Sequence, residues 1–251
     1  MKLARLPDGS PEIFHTLQGE GISTGKPSIF IRASLCNLHC VWCDTDYTWN
    51  WEDTPWTHER DREPGYRKFR KADHIIELTP IDVASAAREF PCRHLVLTGG
   101  EPLLQEEEFL DVLCILGESD PSWTAEVETT GTIHPSEEFD EIIDQYNVSP
   151  KLANSGNAED LRIKNGALEF YAGSSKAVFK FVVSSETDFV EIQDLQTRLA
   201  IPADRIILMP EGRTPETLNR RAHWLAEHCR DLGFRFSQRL HINLWGSERA
   251  R

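Results

Sequence analysis

The segment SIFIRASLCNLHCVWC, residues 28–43, joins a strand-like run to three cysteines. Apolar residues dominate positions 28–34, which predicts a buried β-strand. Cys36, Cys40 and Cys43 follow directly, in a C-x3-C-x2-C pattern that we place in a loop. Three thiols within eight residues can converge on one centre, so this loop is the first candidate site in the chain.

Strands and helices are predicted to alternate along the rest of the chain. Further strands are expected at 94–98, 123–128, 147–150, 177–183, 205–209 and 240–245, and helices at 81–89, 102–116, 137–146, 186–199 and 215–232. This alternation favours a parallel sheet with right-handed crossovers, whose chemistry gathers at the carboxyl ends of the strands. The unusual motifs fall on that edge: the cysteines, GGEP at 99–102, ETT at 128–130 and SPK at 149–151.

The composition narrows the function classes. The 251 residues carry 27 Lys and Arg against 41 Asp and Glu, a net charge of −14. We therefore expect no nucleic-acid partner, because duplex binding needs a basic footprint. No apolar run approaches the roughly 20 residues that cross a bilayer, and the first residues lack the features of a signal peptide, so we expect no membrane association and a cytoplasmic location. Six cysteines are too few for a disulfide scaffold, which agrees with a reducing compartment.

Three explanations compete for the clustered cysteines. A structural zinc site needs a fourth ligand, and a fully ligated iron–sulfur cluster needs a fourth thiolate. Cys92, Cys114 and Cys229 are scattered singly, and we expect the last two to be buried on helix core faces. A four-iron cluster on three cysteines, with one iron open to another ligand, is the explanation that the residues favour.

The cysteine spacing, together with Gly99-Gly100-Glu101-Pro102, resembles the radical S-adenosylmethionine (SAM) superfamily. The resemblance implies a [4Fe-4S] cluster on Cys36, Cys40 and Cys43, with the methionine part of SAM on the free iron. It also implies an α/β fold, an incomplete (β/α)6-type TIM barrel with a parallel sheet. The glycines would let the backbone approach the ligand closely, and Glu101 would accept from the methionine ammonium group.

Flanking motifs narrow the resemblance further. They are TLQGEG at 16–21, VETTGT at 127–132, SPK at 149–151 and RLHINLWG at 239–246. Together they resemble the 7-carboxy-7-deazaguanine synthase family of queuosine and deazapurine biosynthesis, over residues 17–246. The implied reaction starts from 6-carboxy-5,6,7,8-tetrahydropterin. A 5′-deoxyadenosyl radical removes a hydrogen at carbon 6, the ring contracts, ammonia leaves, and SAM is regenerated.

The resemblance also suggests a role for each candidate residue. SAM contacts are expected from Gly99, Gly100, Glu101, Thr130, Ser149 and Lys151, and a magnesium ion would bind at Thr45. Substrate contacts are expected from Gln18, Glu20, Arg32 and Thr98. Gln18 can offer both a donor and an acceptor to a pterin edge, and the planar fork of Arg32 suits a carboxylate. His241 is left out of the catalytic set, and no catalytic residue is expected beyond the cluster and the cofactor radical.

Residues 46–80 do not match the family pattern and are read as an insertion or long loop within a single domain, 1–251. A flavodoxin-like reductase and a homodimer are the implied partners, and we expect the basic patch at 67–71 to help dock the reductase. Two alternatives stay open at this point. One is a glycyl-radical activating enzyme of the same superfamily, and the other is a non-catalytic zinc-binding module.

Overall fold

The computed structural model describes all 251 residues, and its framework is a single ten-stranded sheet. The strands are β1 (Lys2–Ala4), β2 (Ile13–Leu17), β3 (Pro27–Ala33), β4 (Ile75–Glu77), β5 (His94–Gly99), β6 (Thr124–Thr129), β7 (Gln145–Val148), β8 (Ala177–Val183), β9 (Ile206–Pro210) and β10 (Arg235–Phe236). Their order is β10-β9-β8-β7-β6-β5-β3-β1-β4, and β2 pairs with β3 off this path. The edge strands β10 and β4 do not pair with each other, so the barrel is open, as expected.

The strands from β3 through β10, apart from β4, run parallel. The predicted strands 28–34, 94–98, 123–128, 177–183 and 205–209 are confirmed within one or two residues, whereas 147–150 lies two residues too late. The sequence reading missed the two-residue strand β10 and also β1, β2 and β4. The last three pair antiparallel at one side of the sheet. These strands have three to five residues and no long apolar run, so they gave little periodic signal.

Nine helices accompany the sheet. They are α1 (Lys71–His74), α2 (Pro80–Arg88), α3 (Glu106–Ser119), α4 (Glu137–Ile142), α5 (Glu159–Arg162), α6 (Asn165–Gly173), α7 (Asp188–Leu199), α8 (Pro215–Leu232) and α9 (Leu240–Trp245). Thr79 and Thr214 cap α2 and α8 through their side chains, and a proline follows each cap. None of the helices combines the length and apolar character that a membrane crossing needs.

The two faces of the sheet differ in chemistry, because side chains alternate along a strand. One face packs on the helices through residues such as Leu97, Val127 and Phe181, which are fully buried. The other face lines the barrel interior and carries Glu126, Glu128, Asn147 and Lys180 instead. A polar interior needs partners for each group, and these partners build the site described below.

Three sequence predictions about local structure were wrong. Residues 240–245 form helix α9 and not a strand, since a short apolar run fits either element. The helix expected at 137–146 ends at Ile142, and its last residues belong to β7. Cys114 is exposed on α3, whose buried side is formed by Phe109, Val112 and Leu116, whereas Cys229 is buried as expected.

The segment 46–80 is anchored by its aromatic residues. Trp49 and Trp51 are buried, and the ring of Trp56 stacks on His39 with centroids 3.8 Å apart. His39 lies between two of the clustered cysteines, so this segment covers the outside of the cysteine loop. The segment ends in α1 and β4, and β4 joins the sheet edge beside β1.

Candidate active site

A cavity opens at the carboxyl ends of the parallel strands, where the sequence placed the chemistry. Cys36, Cys40 and Cys43 line this cavity. So do most of the other candidates: Gln18, Glu20, Arg32, Thr45, Thr98, Gly99, Gly100, Thr130, Ser149 and Lys151. All the predicted site residues therefore line this cavity except Glu101, which contacts Thr130 from behind it.

The turn after β5 packs directly beneath the cysteine loop. The N–H of Gly100 donates to the carbonyl of Ala33 at 3.1 Å, and the N–H of Glu101 donates to the carbonyl of Leu35 at 2.9 Å. A Cβ atom on Gly100 would lie 2.1 Å from that Leu35 oxygen and 2.8 Å from Cβ of Cys36. Only glycine fits so close to another backbone. The paired glycines thus fix the height of the cysteine loop above the sheet.

The three thiols have the surroundings of metal ligands. The N–H of Leu38 points at Sγ of Cys36 at 3.4 Å, and the amide of Asn157 donates to Sγ of Cys40 at 3.3 Å. Burial raises the pKa of the Cys40 thiol to about 12. Burial also raises the pKa of Cys36, and the neighbouring Cys40 and Cys43 raise it further. A bound cationic cluster would offset this penalty by stabilising the thiolates.

No fourth cysteine approaches this loop. The thiol of Cys92 donates to the carbonyl of Pro27, at the opposite end of β3 from the cavity, while Cys114 and Cys229 lie on outer helices. The residues fit a cluster held by three thiolates with one open iron. They do not complete a four-coordinate structural zinc site.

The carboxylate of Glu101 does not line the cavity, so its expected role as the acceptor for the cofactor ammonium stays a prediction. It is fully buried and accepts from Thr129 Oγ1 at 2.9 Å and from the N–H and Oγ1 of Thr130 at 2.8 and 2.6 Å. It also accepts from the N–H of Leu103 at 3.2 Å. These bonds tie the end of β5 to the end of β6, so the side chain of Glu101 positions Thr130.

The expected SAM contacts form one side of the cavity. Thr130 follows β6, and Ser149 and Lys151 follow β7. The ammonium group of Lys151 donates to Oγ of Ser149 at 2.8 Å and lies 5.9 Å from the centre of the Trp42 ring. Hydroxyl groups and a cation are thereby held at the strand ends next to the cysteine loop.

A charged network forms the polar wall of the cavity. The ammonium group of Lys180 donates to Glu20 at 2.7 Å and to Glu128 at 2.6 Å. Arg239 donates from Nε to Glu20 at 2.9 Å and from Nη2 to Asp44. Burial opposes ionisation of Glu20, but Lys180 and Arg239 outweigh it and hold the pKa of that carboxyl well below its usual range. Burial raises the pKa of Glu128 above its ordinary value in spite of Lys180. The cavity therefore presents the ionised carboxylates of Glu20 and Asp44 beside two fixed cations.

Arg32 and Thr45 keep unused binding capacity. Nε of Arg32 donates to Glu12 at 2.9 Å, while its two terminal NH2 groups have no protein partner. Thr45, the expected magnesium ligand, directly precedes a short 3-10 helix at residues 46–48. Its side chain makes no cap hydrogen bond to that helix, and its Oγ1 lies 3.5 Å from Sγ of Cys43.

Sequence reasoning missed part of this wall. Glu128, Lys180, Arg239 and His241 all line the cavity, although only Glu20 among the networked groups was assigned a role. A signal was present for two of them: Glu128 and Lys180 are charged residues inside otherwise apolar strands, and such residues are seldom buried unless they are paired. Arg239 and His241 belong to the motif at 239–246 that carried the family resemblance, but this segment was read as a strand, and no place on the cavity wall was assigned to either residue.

The open parallel barrel and the three-cysteine loop define a class of protein, the radical SAM enzymes, and the family model of the radical SAM superfamily matches residues 31–154. Curated relatives identify the family within this superfamily. The 7-carboxy-7-deazaguanine synthase of Pyrobaculum aerophilum is 36% identical over 96% of both chains, and that of Halobacterium salinarum is 36% identical over 93% of this chain and 89% of its own. The chain belongs to the 7-carboxy-7-deazaguanine synthase family.

Solved structures agree with this assignment. QueE from Escherichia coli superposes with a TM-score of 0.64 at 26% identity, covering 96% of this chain and 95% of its own. SuiB from Streptococcus suis, bound to its precursor peptide SuiA, superposes with a TM-score of 0.52 at 12% identity. It covers 83% of this chain and 47% of its own, and it supports the fold alone.

Proposed function

We propose that this chain converts 6-carboxy-5,6,7,8-tetrahydropterin into 7-carboxy-7-deazaguanine with loss of ammonia. The observation that carries the proposal is the composition of one cavity. The cavity that reaches the three cysteines also holds the carboxylates of Glu20 and Glu128 and the free guanidinium fork of Arg32. Carboxylates suit the amino and ring N–H donors of a pterin, and the fork suits its carboxylate.

The side chains bind and orient, while the cofactors perform the chemistry. When bound, the cluster on Cys36, Cys40 and Cys43 and SAM supply the 5′-deoxyadenosyl radical that removes hydrogen from the substrate. Lys180 and Arg239 fix the Glu20 carboxylate from two sides, so it is oriented before substrate arrives. Thr130, Ser149 and Lys151 would hold SAM on the other side of the cavity. Burial of this network excludes water from the reacting centre.

We also propose a magnesium ion at Thr45. Its hydroxyl lines the cavity and caps no helix, so the oxygen is available to a hard cation. Mg²⁺ usually keeps several waters and takes only one or two protein ligands, so a single hydroxyl together with a substrate carboxylate is a suitable set. Omitting Mg²⁺ from the assay should slow turnover of the wild type and change a Thr45→Ala variant less.

The reaction itself is tested with anaerobically reconstituted protein. Carboxytetrahydropterin, SAM and dithionite should yield the deazapurine product together with ammonia, and SAM should not be consumed. A protein that holds the cluster and cleaves SAM but forms no deazapurine would remove the substrate assignment and return attention to a glycyl-radical activating enzyme. Stoichiometric zinc without iron would support the binding module instead.

We propose that a flavodoxin-like reductase docks beside Trp56. The ring of Trp56 is 40% exposed and stacks on His39 of the cysteine loop. Lys68 donates to the backbone carbonyls of Thr54 and Trp56, so the basic patch at 67–71 is attached to this outer surface. Arg67 and Lys71 are exposed and form no ion pair. Free cations near an exposed ring over the cluster loop suit a small acidic electron donor.

The docking proposal is tested by charge reversal. Arg67→Glu with Lys71→Glu should lower flavodoxin-driven turnover about tenfold at low salt and leave dithionite-driven turnover unchanged. Arg198→Glu with Arg230→Glu makes the same charge change on α7 and α8, away from the cluster loop, and should have little effect. Equal losses in both double variants would reject a local docking site. The homodimer, the cytoplasmic location and the single-domain organisation stay predictions, and analytical ultracentrifugation would check the first.

A further inference from the structure

The carboxylate of Glu126 lies close to the cavity and has no role in the site described so far. Glu126 precedes Glu128 by two residues on β6, points into the barrel interior, and is completely buried. It accepts from Oγ of Ser23 at 2.7 Å, from the amide of Gln145 at 3.0 Å, and from the amide nitrogen of Gln18. Nε2 of His94 lies 3.7 Å away on the remaining side. All three hydrogen-bond partners of this carboxylate are therefore donors.

The network leaves one orientation for the amide of Gln18. Burial opposes ionisation of Glu126, but His94 and the hydrogen bonds from Ser23 and Gln18 outweigh it and hold the pKa of this carboxyl below its ordinary value. An ionised carboxylate only accepts, so the nitrogen of the Gln18 amide must face it. The second hydrogen of that nitrogen goes to Oε1 of Glu128 at 3.1 Å.

The oxygen of the same amide uses only one of its two acceptor positions. Oε1 of Gln18 accepts from the backbone N–H of Glu20 at 3.2 Å. Because a carbonyl oxygen has two lone pairs, one acceptor position remains. Both hydrogens of the amide are already taken, so Gln18 offers the cavity an acceptor and no donor. This corrects the expectation that Gln18 presents both to a pterin edge.

We propose that Glu126 is a positioning residue that fixes the amide of Gln18 with its oxygen free, and thereby selects a substrate edge that donates. The proposal deepens the proposed function, on which it rests. The pyrimidine ring of a pterin carries an amino group and a ring N–H along one edge, and both are donors. A lumazine carries a carbonyl in place of that amino group. The buried acceptor would be left unpaired against the lumazine, which costs binding free energy.

The experiment compares two unreactive probes, pterin-6-carboxylate and lumazine-6-carboxylate, by fluorescence titration of the anaerobic holoenzyme. We expect the wild type to bind the pterin about tenfold or more tightly than the lumazine. Glu126→Gln, which is nearly isosteric, removes the charge that orients Gln18, and it should bring the ratio of the two Kd values towards one. Ser23→Ala removes a different donor from Glu126 without touching Gln18, and it should keep the wild-type ratio.

A double variant separates positioning from general damage. Gln18→Ala alone should lower the ratio as far as Glu126→Gln does, and adding Glu126→Gln to it should change the ratio no further. The inference would be overturned if Glu126→Gln weakened both probes equally. It would also be overturned if the ratio of the two Kd values stayed unchanged in Glu126→Gln or in Gln18→Ala. If the wild type binds neither probe and forms no deazapurine, the proposed function itself fails, so the two failures are distinguishable.

Discussion

The ammonium group of Lys180 lies 2.6 Å from the carboxylate of Glu128, inside a barrel where both side chains are nearly sealed from solvent. Glu20 shares the same ammonium at 2.7 Å. Burial disfavours the charged lysine, but Glu128 and Glu20 outweigh it and raise the pKa of Lys180 above its ordinary value, so it stays charged. A single cation therefore pairs with two carboxylates on the polar wall of the cavity, although burial still leaves the pKa of Glu128 above its ordinary value.

Replacing that cation should be costly in a pH-dependent way. Lys180→Met leaves two buried carboxylates without their shared partner, and we expect a loss of about 3–5 kcal/mol in the free energy of unfolding. The pKa of Glu20, which is lowered in the wild type, should then rise, and the pKa of Glu128, which burial already raises, should rise further, because the lysine no longer opposes burial. The folded variant binds protons more readily than its unfolded state, so its deficit relative to the wild type should shrink as the pH falls.

Urea titrations of wild type and Lys180→Met at several pH values measure this deficit. Lys176→Met is the matched control, because Lys176 lies on the surface just before β8 and its pair with Asp140 is half-exposed. A deficit of the same size in both variants, or one that does not vary with pH, would contradict a buried triad held by Lys180.

Glu12 makes acid stability a second testable property. Its side chain is buried. One oxygen accepts from Nε of Arg32 at 2.9 Å and from the hydroxyl of Tyr47 at 3.1 Å, and the other oxygen accepts from Arg249. Burial raises the pKa of this carboxyl, but Arg32 and Arg249 outweigh burial and lower it below the ordinary 4.5. The unfolded chain then takes up the proton at a higher pH than the folded chain does.

This difference in pKa between the folded and unfolded chain sets how stability changes with pH. The stabilisation from an ionised Glu12 is complete above pH 4.5 and is lost as the pH falls through the lower pKa of the folded state. Glu12→Gln lacks this contribution, so the gap in unfolding free energy between wild type and variant should be widest near neutral pH and narrow below 4.5. Chemical denaturation across that range measures the gap, and a gap that widens in acid would contradict the pairing.

The sequence was sufficient for the framework and for one wall of the site. The apolar runs at 94–98 and 177–183 predicted strands, and the alternation of strands with helices predicted the parallel sheet. The motifs that follow the first four predicted strands then located the cavity. The opposite wall depends on chain segments far apart in sequence, such as Lys180 with Glu20 and Arg239 with Asp44. Pairings of this kind carry no local periodicity. The contacts of Glu101 with Thr129 and Thr130 depend in the same way on two strands becoming neighbours.

Single cysteine substitutions test which of the six thiols bind the iron–sulfur cluster. Replacing any one of Cys36, Cys40 or Cys43 with alanine should abolish both the iron–sulfur chromophore and turnover, since three thiolates are the minimum that the site offers. Cys114→Ala is the matched control, because Cys114 is exposed on α3 and touches no part of the cavity. Iron content and absorbance after anaerobic reconstitution measure the outcome. Full iron loading of a single-site variant would exclude the three-cysteine assignment.

The contact between Gly100 and Leu35 supplies the most local test of how the cluster loop is held. A Cβ at position 100 would meet the Leu35 oxygen at 2.1 Å, and since that oxygen is backbone it cannot swing aside. Gly100→Ala must therefore displace the cysteine loop from the end of β5. We expect reconstituted iron to fall well below the wild-type level, with a loss of about 1–3 kcal/mol in the free energy of unfolding. Gly117→Ala adds the same methyl group in α3, where no atom lies within 4 Å, and should be neutral or stabilising by about 0.5–1 kcal/mol. Iron analysis and urea unfolding of both variants decide the matter, and a Gly100→Ala protein with normal iron content would mean that this close approach does not position the cysteines.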